Sequence, residues 1–250
     1  MQQPTIIIQA RTGSTRMPKK VTLPFFGGKS IIDILLEKLL KTGLPIVLAT
    51  TNNPADDPLV QMAKNYPINI FRGSEDNVLQ RFIGAATKFE AKNIVRVCAD
   101  NPFLDIDSIP VLAEEFEKTV SDYLSFQFSS NRPSIKTHFG FYTEITTLGT
   151  LKKAASLTSE KLYMEHVTNF IYGHPQHFDV RFLNAPEVIF NRRDIRLTLD
   201  TPTDFRLQQE IYAEMTTQNP NFGIREVVAF LDQHPEMLQQ MKLEIDKFSK

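Results

Sequence analysis

Ile6-Ile7-Ile8-Gln9-Ala10-Arg11-Thr12-Gly13-Ser14-Thr15-Arg16-Met17-Pro18-Lys19-Lys20 is the stretch that decides how this chain is read. A run of β-branched residues, the pattern of a buried strand, passes straight into a turn of small and cationic residues. Arg11, Arg16, Lys19, Lys20 and Lys29 all precede Asp33, the first acid of the chain, although the net charge of the whole protein is only −1. The positive charge is therefore local. Such a loop at the end of a first strand can cradle a polyphosphate: backbone N–H groups and arginine forks donate to phosphate oxygens, and lysine adds point charge. A plain solvated basic loop has the same composition, and the charge pattern alone does not choose between them.

Bulk properties narrow the class. A chain of 250 residues is one large domain, or one domain with a modest appendage. Its 42% hydrophobic and 23% charged content is ordinary for a soluble globular protein. Near-neutral charge argues against a general nucleic-acid binder. Cys98 is the single cysteine, which excludes an internal disulfide and fits a reducing, cytoplasmic compartment. No apolar run approaches the roughly eighteen residues of a membrane span, and Ile6–Ile8 is too short, with no basic residue before it, for a signal peptide. No membrane partner is expected.

Short β-branched runs alternate with helical patterns through the first half, which predicts an α/β sheet with mostly parallel strands. Strands are expected at Thr5–Gln9, Pro45–Ala49, Ile68–Phe71 and Asn93–Cys98. Ser30 with Asp33 forms a capping-box pattern ahead of a helix over 31–41, stopped by Gly43. Asp57-Pro58 reads as cap and first helical position of a helix to about 65. Ser74 is expected to cap a helix over 75–91, and Asp107 one to 118, with Pro110 tolerated in its first turn. Beyond 122 the pattern changes: strands and loop over 123–150, a helix over 156–172, strands at Phe178–Leu183 and Asp194–Leu199. Thr201 and Asp204 form a second capping-box pattern, and 223–249 reads as two amphipathic helices split by His234-Pro235. Without a linker rich in Gly, Pro or Ser, the chain is read as a single domain, 1–250, with 123–185 an insertion lying over the sheet and 202–250 a set of C-terminal helices. Phe25, Phe26, Phe126 and Phe128 read as core or subunit interface, and Cys98 as a packed strand residue.

Two acids end two of the expected strands. Arg96, Cys98 and Asp100 share one face of their strand, and Arg196, Thr198 and Asp200 share another. In open α/β sheets ligands bind beyond the carboxyl ends of the strands, where the cationic loop also emerges. Polyphosphate with Mg²⁺ explains the mixture of signs, because that metal needs hard oxygen ligands. An Asp at a strand end is also a common turn or cap residue.

Ala10-Arg11-x-x-Ser14-Thr15-Arg16-x-Pro18-x-Lys20 resembles the N-terminal signature of the sugar cytidylyltransferases. That group includes the acylneuraminate and 3-deoxy-manno-octulosonate enzymes, and the likeness is nearest to the branch named after spore-coat polysaccharide protein F. Ala99-Asp100-Asn101-Pro102 with Leu104-Asp105 resembles the family's metal-binding turn, and Asp200-Thr201-Pro202-Thr203-Asp204 its late Asp-Thr-Pro-x-Asp motif. Ala49-Thr50-Thr51 resembles the segment beside the cytosine, and Arg72-Gly73-Ser74-Glu75-Asp76 the segment over base and ribose. Gly140-Phe141-Tyr142-Thr143-Glu144 and Glu165-His166-Val167-Thr168 resemble two motifs of the sugar-side wall. Lys19 stands where the family usually has Gly, Tyr142 where it has an acid, and Met164 where Arg is common; the last two point to an unusual sugar or to weakened sugar binding.

The resemblance implies a three-layer α/β/α, Rossmann-like nucleotide-diphospho-sugar transferase fold, with an inserted segment for dimerisation and sugar binding. It implies a homodimer. CTP would lie against Gln9, Ala10, Arg11, Ser14, Thr15, Arg16, Lys20, Ala49, Thr50, Gly73, Ser74 and Asp76. Arg11, Arg16, Lys20 and Asp100 would carry the chemistry, and Asp100 and Asp200 would hold Mg²⁺. Asn101, Glu144, Glu165 and His166 would face the sugar, although a lone helical His is as readily structural. The expected reaction transfers CMP from CTP to an acidic, 2-keto acid type sugar. A transferase using another nucleotide, or a non-catalytic nucleotide-binding relative, are the alternatives; the Gly-Gly-x-Gly-x-Arg loop of the sugar-1-phosphate enzymes is absent.

Overall fold

The computed structural model of the protein describes residues 3–248. β1 (Thr5–Gln9) leads to a small hairpin of β2 (Pro24–Phe26) and β3 (Lys29–Ser30), then α1 (Ile31–Leu40). β4 (Ile46–Thr51), α2 (Asp57–Ala63), β5 (Asn69–Gly73), α3 (Val78–Lys88), β6 (Asn93–Cys98) and α4 (Ser108–Thr119) complete the first half. The second half holds β7 (Tyr123–Phe128), β8 (Arg132–Pro133), β9 (Glu144–Thr147), α5 (Leu148–Leu157), α6 (Lys161–Glu165) and α7 (Asn169–Gly173). It ends with β10 (Val180–Asn184), α8 (Glu187–Phe190), α9 (Pro202–Gln218), α10 (Ile224–Asp232) and α11 (Pro235–Lys247).

The main sheet is ordered β10-β7-β9-β6-β1-β4-β5, with β8 paired to β7. β1 is central and parallel to both β4 and β6, so the loops after these three strands open on one rim. β9 and the two-residue β8 are antiparallel to their neighbours. Alternation along β1 sorts the core into two layers. Ile6 and Ile8 pack with Leu36 of α1, Leu112 of α4, Ile211 of α9, Leu231 of α10 and Met241 of α11. Ile7 packs with Phe82 of α3, Leu151 of α5 and Ile171 of α7. The sheet buried on both faces explains the uninterrupted Ile run, and the three-layer α/β/α architecture agrees with the sequence expectation.

Local signals act where the sequence placed them at two helix starts. Ser30 and Asp33 form a reciprocal capping box on α1, and Thr201 and Asp204 one on α9. Gly43 turns the chain after α1 at φ +68°. Other boundaries differ. Asn77, not Ser74, caps α3 through Gln80 N at 2.9 Å, and Ser74 Oγ instead accepts from Asn77 N. Asp57 is the first residue of α2 and not its cap; Asn53 caps the short turn ahead of it.

Three larger expectations are corrected. Residues 123–185 are not simply an insertion over the sheet: β7, β9 and β10 extend the sheet beyond β6, and only α5–α7 of that stretch cover its face. The helix expected over 156–172 is broken into α5, α6 and α7. Thr168 hydrogen-bonds buried Glu144, and that tertiary anchor bends the chain after Glu165. Asp194–Leu199 is not a strand. Leu197 N and Thr198 N both donate to His138 O, and Leu199 N donates to Asp100 O, so this extended segment crosses the end of β6 and joins no ladder. Gly140, at φ +67°, permits the crossing: a Cβ there would lie 2.7 Å from Leu197 O.

Candidate active site

The loop after β1 is held from inside. Thr12 is 5% exposed and donates from its backbone N (2.6 Å) and its hydroxyl (2.7 Å) to Oδ1 of Asp56, while Thr51 Oγ1 donates to Oδ2. Burial pushes the Asp56 carboxyl up, but the hydrogen bonds from Thr51 and Thr12 outweigh it and hold the group below its ordinary value. Thr12 O in turn accepts from Ser14 N and Lys19 N, which closes the loop into a compact turn. Lys19 occupies φ +62°, the left-handed region that favours glycine. The residue that replaces the family's glycine thus keeps a glycine-type backbone.

The turn presents its cations to the two acids. Lys20 is 7% exposed; its Nζ donates to Asp100 Oδ2 at 2.8 Å and to Leu199 O, and lies 3.6 Å from Asp200 Oδ1. Burial works to lower the Lys20 pKa, and Asp100 and Asp200 together raise it above the ordinary value. Arg16 Nη2 reaches Asp200 Oδ1 at 3.0 Å. Asp100 and Asp200 therefore share one ammonium, although Asp200 arrives on an irregular segment and not at a strand end.

Behind Asp200 stands a buried support. Arg196 forms a fork with Asp204, Nε–Oδ1 at 2.7 Å and Nη2–Oδ2 at 2.9 Å, and its Nη2 touches Asp200 Oδ2 at 3.2 Å. His138 Nδ1 meets Arg196 Nη1 at 2.6 Å. Asp204 Oδ2 also accepts from the backbone N of Asp200 and Thr201, so one carboxylate caps α9 and orients the acid before it. The Phe248 ring lies 5.0 Å from the Arg16 guanidinium.

The other expected site residues divide. Gln9 Oε1 accepts from Arg96 Nη2 at 3.2 Å, Ala10 is buried, Ser14 is half-buried and Thr15 is exposed. Ala49 and Thr50 are fully buried within β4, which is paired to β1 on one side and β5 on the other. Gly73 is half-buried, and Ser74 and Asp76 are exposed on the loop after β5. Glu75 of that loop bonds Asn53 Nδ2, and its Oε1 would lie 3.3 Å from a Cβ on Gly13, so the loop sits against the cationic turn.

Of the residues expected to face the sugar, Glu165 lies 3.8 Å from Arg11, and His166 is exposed beside it. Asn101 is 9% exposed next to Asp100. Glu144 differs from expectation. It is 3% exposed and accepts from Arg96, Tyr123 and Thr168, since the β6–β9 register sets it opposite Arg96. It ties sheet to wall and does not face the crevice. Tyr142, where the family has an acid, is likewise core, stacked on Phe126 with centroids 4.2 Å apart.

Sequence reading missed Asp56, Arg196, His138 and Phe248. Asp56 and His138 carry no local signal; Arg196 was visible only as a face-mate of Asp200.

A cationic turn and two converging carboxylates on the rim of a mostly parallel, three-layer sheet define a nucleotidyltransferase fold. The chain belongs to the cytidylyltransferase family, whose model matches residues 5–242. It is 38% identical over 233 residues to an uncharacterised protein of Methanocaldococcus jannaschii, covering 92% of this chain and 91% of that one. It is 32% identical over 237 residues to the spore coat polysaccharide biosynthesis protein SpsF of Bacillus subtilis, covering 92% and 94%. The structure of a cytidylyltransferase from Leptospira borgpetersenii superposes with a TM-score of 0.82 at 26% identity, over 95% of this chain and 98% of that one. The family read from the sequence motifs is borne out.

Proposed function

We propose that the protein transfers a cytidylyl group from CTP to a hydroxyl of an acidic, 2-keto acid type sugar, releasing pyrophosphate. The observation that carries this reading is Lys20, shared between Asp100 and Asp200 with Arg16 on the same Asp200. Such an arrangement can neutralise a triphosphate from one side and hold a divalent cation from the other. The donor set suits Mg²⁺: it offers two hard carboxylates, and among the described residues no cluster of three His, Cys, Asp or Glu forms a full protein cage. Mg²⁺ takes one or two carboxylates and fills its remaining positions with water and substrate phosphate. Bound there, it would supply charge at the α-phosphate and lower the pKa of the attacking hydroxyl.

The sugar oxygen forms a bond to the α-phosphorus, the α–β phosphoanhydride breaks, and pyrophosphate leaves with the bonding pair while the hydroxyl proton is released. Arg16 and Lys20 hold the β- and γ-phosphates and stabilise the charge that develops on the leaving group. Arg11, beside Glu165, joins the nucleotide rim to the sugar wall. Asn101, Glu165 and His166 are the residues assigned to the sugar, with Glu144 holding the wall behind them. A homodimer and a place in surface polysaccharide or glycan synthesis belong to the same reading; the Bacillus subtilis relative, a spore coat polysaccharide biosynthesis protein, supports the latter. Among the described residues no helix is long and apolar enough to cross a membrane.

Pyrophosphate release tests the reading. The protein is incubated with Mg²⁺, each of four nucleoside triphosphates in turn, and a panel of acidic sugars. Release with CTP and at least one acidic sugar is expected. A preference for UTP or GTP would move the protein to another nucleotidyltransferase class, and no release beside tight CTP binding would make it a non-catalytic relative.

A further inference from the structure

Among the described residues three arginines are almost wholly buried, and two of them have carboxylates. Arg96 is paired with Glu144, and Arg196 with Asp204. Arg81, in the first turns of α3, is 1% exposed and has no carboxylate within ion-pair distance among the described residues. Its Nη1 donates to the carbonyls of Ser74 and Glu75, while its Nε and Nη2 are buried with no hydrogen-bond partner. Buried donors are nearly always satisfied, and an arginine left short of partners carries a large desolvation cost.

Its surroundings add to that cost. Burial first, then the nearby positive charge of Arg11, pushes the Arg81 guanidinium down to about 10, against a partial offset from the carboxylates of Asp56 and Glu75. The side chain runs directly under the loop after β5: a Cβ on Gly73 would lie 3.0 Å from Arg81 Cγ. The same loop rests on the cationic turn through Glu75. Two guanidinium groups that repel each other, Arg81 with idle donors, thus lie near the junction of the loops after β1 and β5. An acceptor oxygen brought to Arg81 would satisfy its idle donors and reduce the repulsion.

We propose that Arg81 is a nucleotide-binding residue, and that its Nε and Nη2 donate to an acceptor oxygen of the nucleotide once the Gly73–Asp76 loop lifts to admit it. The proposal rests on the cytidylyltransferase reading and adds a residue to the nucleotide site that the sequence motifs did not mark. The loss of fold stability that an unsatisfied arginine brings is tolerated at a binding site, where it is recovered on ligation.

The test compares wild type with Arg81→Met, which keeps length and removes charge and donors. Melting temperature is read without ligand, and affinities for CTP, cytidine and inorganic pyrophosphate are read by calorimetry with Mg²⁺. The expected result is a ligand-free melting temperature equal to or above wild type, with CTP affinity reduced about tenfold or more, the scale of a lost charge-assisted hydrogen bond. Matching loss for cytidine places the acceptor on base or ribose; matching loss for pyrophosphate places it on the phosphates. CTP affinity within about twofold of wild type, or a melting temperature lower by more than about 3 °C, the scale of about 1 kcal/mol in a chain this long, overturns the proposal. Arg81→Lys, which keeps the charge without the fork, gives a second reading: it is expected to fold and to lose CTP affinity, and retained affinity overturns the proposal equally. Wild type that binds no CTP refutes the underlying reading, whereas wild type and variant that bind CTP alike refute this proposal only.

Discussion

Asp56 offers the sharpest test of how the cationic turn is held. The substitution is Asp56→Asn, which preserves shape and removes charge. At 2% exposure, Asp56 accepts from Thr12 N, Thr12 Oγ1 and Thr51 Oγ1. An asparagine carbonyl can still serve Thr12, but as a neutral acceptor about half as strong, a loss of roughly 1 kcal/mol per bond. Its NH₂ then faces Thr51 Oγ1 and leaves that hydroxyl to find another acceptor, for roughly 1 kcal/mol more. The total is about 2–4 kcal/mol, or a fall in melting temperature of roughly 4–16 °C for a chain of this length. CTP affinity should fall as well, because Thr12 carries the carbonyl that gathers Ser14 N and Lys19 N.

The pH dependence has a definite sign. The folded carboxyl lies below its ordinary value, so its contribution is fully present above about pH 4, the unfolded value, and is lost as pH falls through the lower folded one. Urea denaturation of both proteins from pH 7 to pH 2 measures the gap. A gap under about 0.5 kcal/mol at pH 7, the size of an ordinary surface change, or one that does not narrow below about pH 4, would refute the reasoning.

Other predictions concern the chemistry. Asp100→Asn and Asp200→Asn should each retain the fold and lose turnover by about a hundredfold or more, as when an electrostatic element of a transition state is removed; near-normal pyrophosphate release over a range of Mg²⁺ would make the residue a turn acid only. Arg16→Ala should weaken CTP binding in calorimetry, because the fork at Asp200 is lost to the phosphates. His166→Ala should leave CTP binding intact and raise the KM for sugar, since His166 is exposed on the wall and not in the turn; loss of CTP binding would place that wall over the nucleotide. Gly140→Ala should lower stability by several kcal/mol in denaturant unfolding, as φ +67° and a Cβ 2.7 Å from Leu197 O leave no room without moving the segment that carries Asp200.

The sequence by itself determined the central sheet and the chemical character of its rim. Ile6–Ile8 reads as a buried strand, and Ser30 with Asp33, or Thr201 with Asp204, are reciprocal bonds within four residues, legible because both partners lie in one window. The cationic turn and the motifs around Asp100 and Asp200 were visible for the same reason. Tertiary structure decided how these parts meet. Asp200 looked like the end of a strand, because Ile195–Leu199 alternates; only the carbonyls of His138 and Asp100, far away in sequence, draw that segment across β6 and bring Asp200 to Lys20. Glu144 looked like a sugar ligand, and the β6–β9 register buried it against Arg96. The strands β7, β9 and β10 read as an overlay because short apolar runs do not say which edge they join. Asp56 and Arg81 gave no signal at all, since a buried charge is defined by what surrounds it, and those neighbours come from elements that the chain brings together only on folding.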